Sequence, residues 1–209
     1  MSNELLEKNA ILKNIKGDDR AKALAEGSVK SFELRESVYE AEEQIGAAYF
    51  PLDCVLSVVT LMQDGGMIEI ATIGPEGTTA VPLIMGGDRT PNHAFCQVNG
   101  SAWKMSARTF RQLLEGSSNF RVLTHRYLQA YVNMLAQFAA CNRLHSDYEW
   151  AARWILMTQD RVDHDGFPLT HEFLATMLGC RRSGVAIAVA MLGKAGFISY
   201  HRGRITVLD

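Results

Sequence analysis

Near the C-terminus three adjacent side chains have types suited to nucleic acid: Arg181, Arg182 and Ser183, directly behind Gly179-Cys180. An arginine in the first turn of a helix can fork onto O6 and N7 of guanine or pair with a phosphate. The residues before them supply an element to hold that turn. Thr170 can cap a short helix with Glu172 in its first turn, and Phe173, Leu174, Met177 and Leu178 give that helix one apolar face. Gly179 ends it, because glycine turns sharply out of a helix without steric cost. A second helix then starts near Arg181 and runs through Val185, Ile187, Val189, Met191 and Leu192 towards Gly196. Two helices joined by a tight glycine turn make a helix-turn-helix. After Gly196, the β-prone runs 197–200 and 204–208 flank His201-Arg202-Gly203, a hairpin whose basic tip can track a phosphate backbone. The candidate DNA-contacting residues are therefore Thr170, His171, Arg181, Arg182, Ser183, Arg202 and Arg204.

Charge distribution agrees. The whole chain carries a formal −2, yet residues 170–209 hold five Lys/Arg against two acids, a surplus of three. Local charge is what a phosphate meets. The competing readings are a signal-binding or protein-interaction module whose winged helix serves another partner, and an enzyme. The acids and histidine of residues 160–165 are the obvious place to seek acid–base chemistry. They read as a solvated turn with no nucleophile and no glycine-rich phosphate loop beside them, so the enzyme reading has the least support.

The elements that must position this apparatus are also legible. Residues 4–26 read as helical, divided at Gly17-Asp18-Asp19, and form a cover for the β-rich stretch behind them. From 28 to 106 short β-prone runs alternate with turn residues: 29–34, 47–50, 55–62, 67–73, 93–98 and 102–105. The breakers are Gln63-Asp64-Gly65-Gly66, Gly74-Pro75-Glu76-Gly77 and Asn99-Gly100, and nothing is long enough for a crossover helix. The fold class is α+β, with an N-terminal antiparallel β-roll, a long helix over 119–145 and a C-terminal winged helix-turn-helix. On that helix Tyr127, Tyr131, Met134, Phe138, Cys141 and His145 are spaced 4, 3, 4, 3, 4, a seam that wants a partner. A second apolar row, including Leu123, Leu128, Leu135 and Leu144, lets one face cover the roll and the other meet a symmetry mate. The expectation is a homodimer, with Tyr127, Tyr131, Met134, Phe138 and Cys141 as dimerisation residues. The units are 1–118 (sensory roll), 119–145 (dimerisation helix) and 146–209 (DNA-binding domain).

A chain of 209 residues with 47% hydrophobic and 21% charged residues is ordinary for a globular protein. No uncharged apolar stretch reaches about 18 residues, and the first residues are not a basic-then-apolar signal, so a cytoplasmic protein without a membrane is expected. Cys54, Cys96, Cys141 and Cys180 form no C-x-x-C pair, and neither a metal site nor a disulfide framework is expected.

At these residues the sequence resembles the Crp/Fnr family of bacterial transcription factors, over nearly the whole chain and in the family's domain order. The resemblance rests on Leu169-Thr170-His171-Glu172, Leu178-Gly179-Cys180-Arg181-Arg182-Ser183 and Val185. It is supported by Tyr49-Phe50-Pro51-Leu52 and Gly74-Pro75-Glu76-Gly77. It implies a cyclic-nucleotide-binding-like roll, a dimerising helix and a winged helix that reads a palindromic operator in double-stranded DNA, with RNA polymerase as a further partner. It also implies that Thr170 and Arg181 approach phosphates and Arg182 reads a base. The departures are informative. Arg182 is followed by Ser183, and Ile187 stands where many members carry a second Arg, so a different operator is expected. Where nucleotide-binding members have Gly-Glu and an Arg-Ser pair, this chain has Gly77-Thr78-Thr79-Ala80 and Asn92-His93-Ala94-Phe95. A cyclic phosphate would lack its cation, which disfavours cyclic AMP. No Cys precedes Cys54, which disfavours an iron–sulfur cluster. The effector is left unknown, with Thr78, Thr79, Arg89 and His93 as the candidate effector pocket.

Overall fold

The computed structural model describes residues 2–208 except 64, 163 and 165. Asp64 of the predicted hairpin turn, Asp163 and Asp165 of the predicted polar loop, and the terminal Asp209 lie outside the described residues. The chain opens with α1 (Ser2–Leu6), a 3-10 turn (Leu12–Asn14) and α2 (Gly17–Ala25), which seat Leu6, Ile11, Leu12 and Ile15 in the roll. Asn9 ties this segment down. Its buried amide donates to the carbonyls of Pro51 and Gly77, while its carbonyl accepts from the N–H groups of Ile11 and Leu12.

The roll is two antiparallel sheets. One runs in the order β1 (Gly27–Phe32), β7 (Gly100–Ser106), β3 (Ala47–Pro51); the other in the order β2 (Ser37–Tyr39), β6 (Asn92–Val98), β4 (Val55–Leu61), β5 (Met67–Ile73). Strand alternation gives β4 two buried faces. Leu56 and Val58 point into the roll, whereas Val55 and Val59 join the core of the C-terminal half. That explains why the β-prone run 55–62 is apolar at six of its eight positions. The three-residue β2 and the short helix α3 (Val81–Ile84) are absent from the sequence reading, being too short to show periodicity.

Two serines set the corner after the roll. Ser106 caps α4 (Ala107–Gly116) by accepting from Thr109 N at 3.0 Å, and Ser117 caps α5 (Ser118–Leu144) by accepting from Phe120 N at 3.0 Å. Most of the seam on α5 is already covered within the chain. Tyr127, Tyr131, Phe138 and Cys141 are buried within the single chain, and Met134 packs against both core clusters. The physical reason is that the roll core takes Tyr127 and Tyr131 while the core shared with α6 takes Phe138 and Cys141, so the most apolar stripe turns inward. Still facing outward are the half-exposed Val132, at 50%, and Leu144, at 77%.

Ser146 and Glu149 form a reciprocal capping box at the start of α6 (Asp147–Gln159). Beyond it lie β8 (Gly166–Pro168), α7 (His171–Leu178), α8 (Arg182–Lys194), β9 (Ile198–His201) and β10 (Arg204–Val207), with sheet order β8, β10, β9. The sequence reading has the hairpin β9–β10 but not β8, which is anchored by the fully buried Phe167. No single helix among the described residues is long and apolar enough to cross a membrane.

Candidate nucleic-acid interface and roll cavity

Thr170 caps α7, its hydroxyl accepting from Phe173 N at 3.1 Å. Gly179 ends the helix in the left-handed region at φ 65°. The turn needs glycine for its backbone angle; a Cβ there would also press on the tip of Ile68 of β5, at 2.8 Å from Cδ1. The chain then enters α8, which lies at 111° to α7, the geometry of a helix-turn-helix. The inner face of α8, with Val185, Ala188, Val189 and Leu192, is buried. Arg181, Arg182 and Ser183 are exposed at its first turn. Arg182 makes only a 3.8 Å contact with Glu172, both side chains being largely in solvent, and such a pair holds little.

The wing follows α8. Arg202 at φ 48° and Gly203 at φ 76° form the two-residue reversal between β9 and β10, and Arg202 is exposed at the tip. The Gly203 carbonyl accepts from Leu169 N at 2.8 Å, which holds the wing next to the start of α7. Two predicted contacts serve the scaffold. Arg204 donates to the Gly166 carbonyl at 2.7 Å, locking β10 to β8. His171 stacks on Tyr200 at 4.7 Å between ring centroids, with its Nε2 buried and without a hydrogen-bond partner. Burial, then the nearby Arg182 charge, holds the imidazole below its ordinary pKa. Its ring fixes the wing against α7. Thr170, Arg181, Arg182, Ser183, Arg202 and Arg204 are all exposed, and His171 is half-buried.

The predicted effector set divides differently. A cavity of about 400 Å³ opens between the second sheet, the α3 region and α5, and Thr79 and Arg89 line it. Thr78 does not: it is fully buried, its hydroxyl donating to the Tyr49 carbonyl at 2.9 Å. His93 does not either. Successive strand residues face opposite ways, so Asn92 lines the cavity and His93 lines a separate cleft of about 290 Å³ with Arg35, Phe95 and Phe173. That alternation was available in the sequence and would have selected Asn92. Tyr39 and Tyr131 also line the cavity. Burial raises both phenols, Tyr131 to about 12, which keeps them neutral hydrogen-bonding groups. Arg89 is the one cation in the lining; it is exposed and donates to the Glu42 carbonyl at 2.6 Å.

The cysteines are free. Burial raises the Cys54 thiol and takes Cys96 to about 12, so neither has thiolate character at neutral pH. Among the described residues no group of three or more His, Cys, Asp or Glu is placed to hold a metal ion.

Comparison with known proteins agrees with this geometry. Residues 151–209 match the model of the Crp-like helix-turn-helix domain. No curated protein matches the chain in sequence. Among solved structures, the c-di-GMP-responsive global regulator CLP of Xanthomonas campestris is similar at TM-score 0.71 and 13% identity, over 93% of this chain and 100% of that one. FixK2 of Bradyrhizobium japonicum is similar at TM-score 0.74 and 14% identity, over 88% and 93%. A CRP-family transcriptional regulator of Thermus thermophilus is similar at TM-score 0.71 and 19% identity, over 86% and 92%. The C-terminal part of this chain is a Crp-like helix-turn-helix domain, and the chain as a whole has the fold of the Crp/Fnr transcription regulators.

Proposed function

We propose that the chain is a sequence-specific DNA-binding transcription regulator that acts in the cytoplasm as a homodimer on a palindromic operator. The observation that carries this reading is the exposed first turn of α8, with Arg181, Arg182 and Ser183, in a helix-turn-helix followed by a wing whose tip residue Arg202 is also exposed. Arg182 reads a base; Thr170, Arg181 and Arg202 hold phosphates. In this reading residues 1–118 sense, 119–145 dimerise and 146–209 bind DNA, with RNA polymerase a further partner. The second copy meets the row Leu128, Val132, Leu135 and Ala139, spaced 4, 3, 4, since the tyrosine row is occupied by the chain's own cores. Cyclic AMP is not the effector. A cyclic phosphate needs a cation held against it, and Arg89 is bound to the Glu42 carbonyl at the protein surface. Nothing in this reading assigns catalysis.

The test is selection of bound sequences from a random DNA pool, at two salt concentrations and with or without cyclic AMP. A palindrome enriched regardless of the nucleotide is expected, with half-sites about one helical turn apart. No enrichment at either salt would favour a winged helix that serves another partner. Arg182→Ala should cost about 1–3 kcal/mol of discrimination at one base pair. Uniform weakening on all sequences would make Arg182 a phosphate contact.

A further inference from the structure

A second large cleft lies outside the roll. It has a volume of about 540 Å³ and is walled by the N-terminal segment, β5, α5 and α6, so both halves of the chain build it. Its charged lining is three arginines, Arg126, Arg153 and Arg161, and two acids, Glu76 and Asp160. Arg161 is spent: its Nε donates to Glu76 at 2.8 Å and its Nη1 to the Met157 carbonyl at 2.6 Å. The other two are not. Arg153 is held by aromatic faces, its guanidinium 5.4 Å from the Phe138 centroid and 5.9 Å from that of Trp150, and its Nε is buried with no hydrogen-bond partner. No hydrogen bond or ion pair reaches Arg126 among the described residues, and it is exposed. A donor screened from water and left unpaired costs about 1–3 kcal/mol, a cost that a bound acceptor removes.

The rest of the wall is apolar, including Leu123, Met134 and Met157. At 100° per residue, Arg126 and Ala130 stand roughly 150–170° round α5 from the row assigned to the second copy, so dimerisation leaves the cleft open. Three cations against two acids leave one positive charge, which suits a monoanion better than a dianionic phosphate. A guanidinium edge matches a carboxylate in a two-bond fork. We propose that this cleft binds an amphipathic organic acid, with its carboxylate on Arg126 and Arg153 and its apolar body along Leu123, Met134 and Met157.

The experiment is calorimetric titration of the full chain with sodium decanoate, with inorganic phosphate as the control without an apolar body. Decanoate should bind at one site per chain and phosphate at least about tenfold more weakly. Arg126→Gln removes an exposed, unbonded charge without risk to the fold and should weaken decanoate several-fold. Arg153→Gln should weaken it by about tenfold or more. Ala130→Trp, at an exposed lining position, should abolish binding by filling the cleft, while Arg89→Gln in the roll cavity should leave it unchanged. Absence of decanoate binding, binding indifferent to Arg126→Gln and Ala130→Trp, or loss on Arg89→Gln would each overturn the proposal.

Discussion

Two buried surfaces in this chain are built on opposite terms. Inside the roll half lies a cluster of aromatic rings: Phe50, Phe110 and Phe120 are fully buried, with Phe110 5.2 Å from Phe120 and 6.2 Å from Phe50 between ring centroids. Where the roll meets the winged helix, polar atoms are buried as well. Gln97 of β6 donates to Thr158 of α6 at 2.7 Å and accepts from Ser57 at 2.8 Å. Glu69 of β5 accepts from the Trp154 indole of α6, and its other carboxyl oxygen is buried without a hydrogen-bond partner. The apolar interior depends on shape and volume, and nothing in it titrates near neutrality. The joint depends on hydrogen bonds and on one carboxyl group, so it answers to pH.

The largest effect should come from the interior. Phe110→Ala removes a fully buried ring and should cost about 3–5 kcal/mol in denaturant unfolding. A cost below about 1 kcal/mol would mean that the roll tolerates loose packing and that the contrast with the joint is false.

The joint should show a smaller effect with a pH signature. Burial raises the Glu69 carboxyl to about 7; the neighbouring Ser57, Trp154 and Thr72 groups and the Arg161 charge only partly oppose it. The folded-state pKa is above the unfolded one, near 4.5, so the stabilisation is fully present below about 4.5 and is lost as pH rises through about 7. Unfolding measured across that window should lose about 2–3 kcal/mol, and Glu69→Gln should flatten this slope. An unchanged slope would place the pH response elsewhere. Thr170→Ala sharpens the comparison at its small end. It removes one helix cap on the helix-turn-helix side and should cost about 1 kcal/mol, read as a lower midpoint of thermal unfolding with no change in the pH profile.

The legible parts of the fold share a physical feature. The helix-turn-helix, the wing, the long helix and the main strands of the roll each carry a local signal that acts over a few residues: a cap at Thr170, a left-handed glycine at 179, the Arg202-Gly203 reversal, the 4-3-4 spacing along α5, and turn residues bounding the β-prone runs. Elements of three or four residues, such as β2, α3 and β8, are held by their neighbours and carry no period. Within the candidate DNA interface, the exposure of Arg181, Arg182 and Ser183 follows from their place at the first turn of α8. The surroundings of His171 and Arg204 do not follow from type and spacing. A histidine or arginine near a wing can face solvent or pack, and only the stacking on Tyr200 and the bond to the Gly166 carbonyl decide it.

What the sequence determined by itself is the order and kind of its elements and the concentration of positive charge on the last of them, since propensity, capping and charge are properties of short segments. Which apolar row of α5 turns inward, which strand neighbour enters the roll cavity, and which carboxyl group is sealed between two domains were decided only in the tertiary structure. Each is a choice between faces of one element, and a face is buried or free according to what distant segments bring against it.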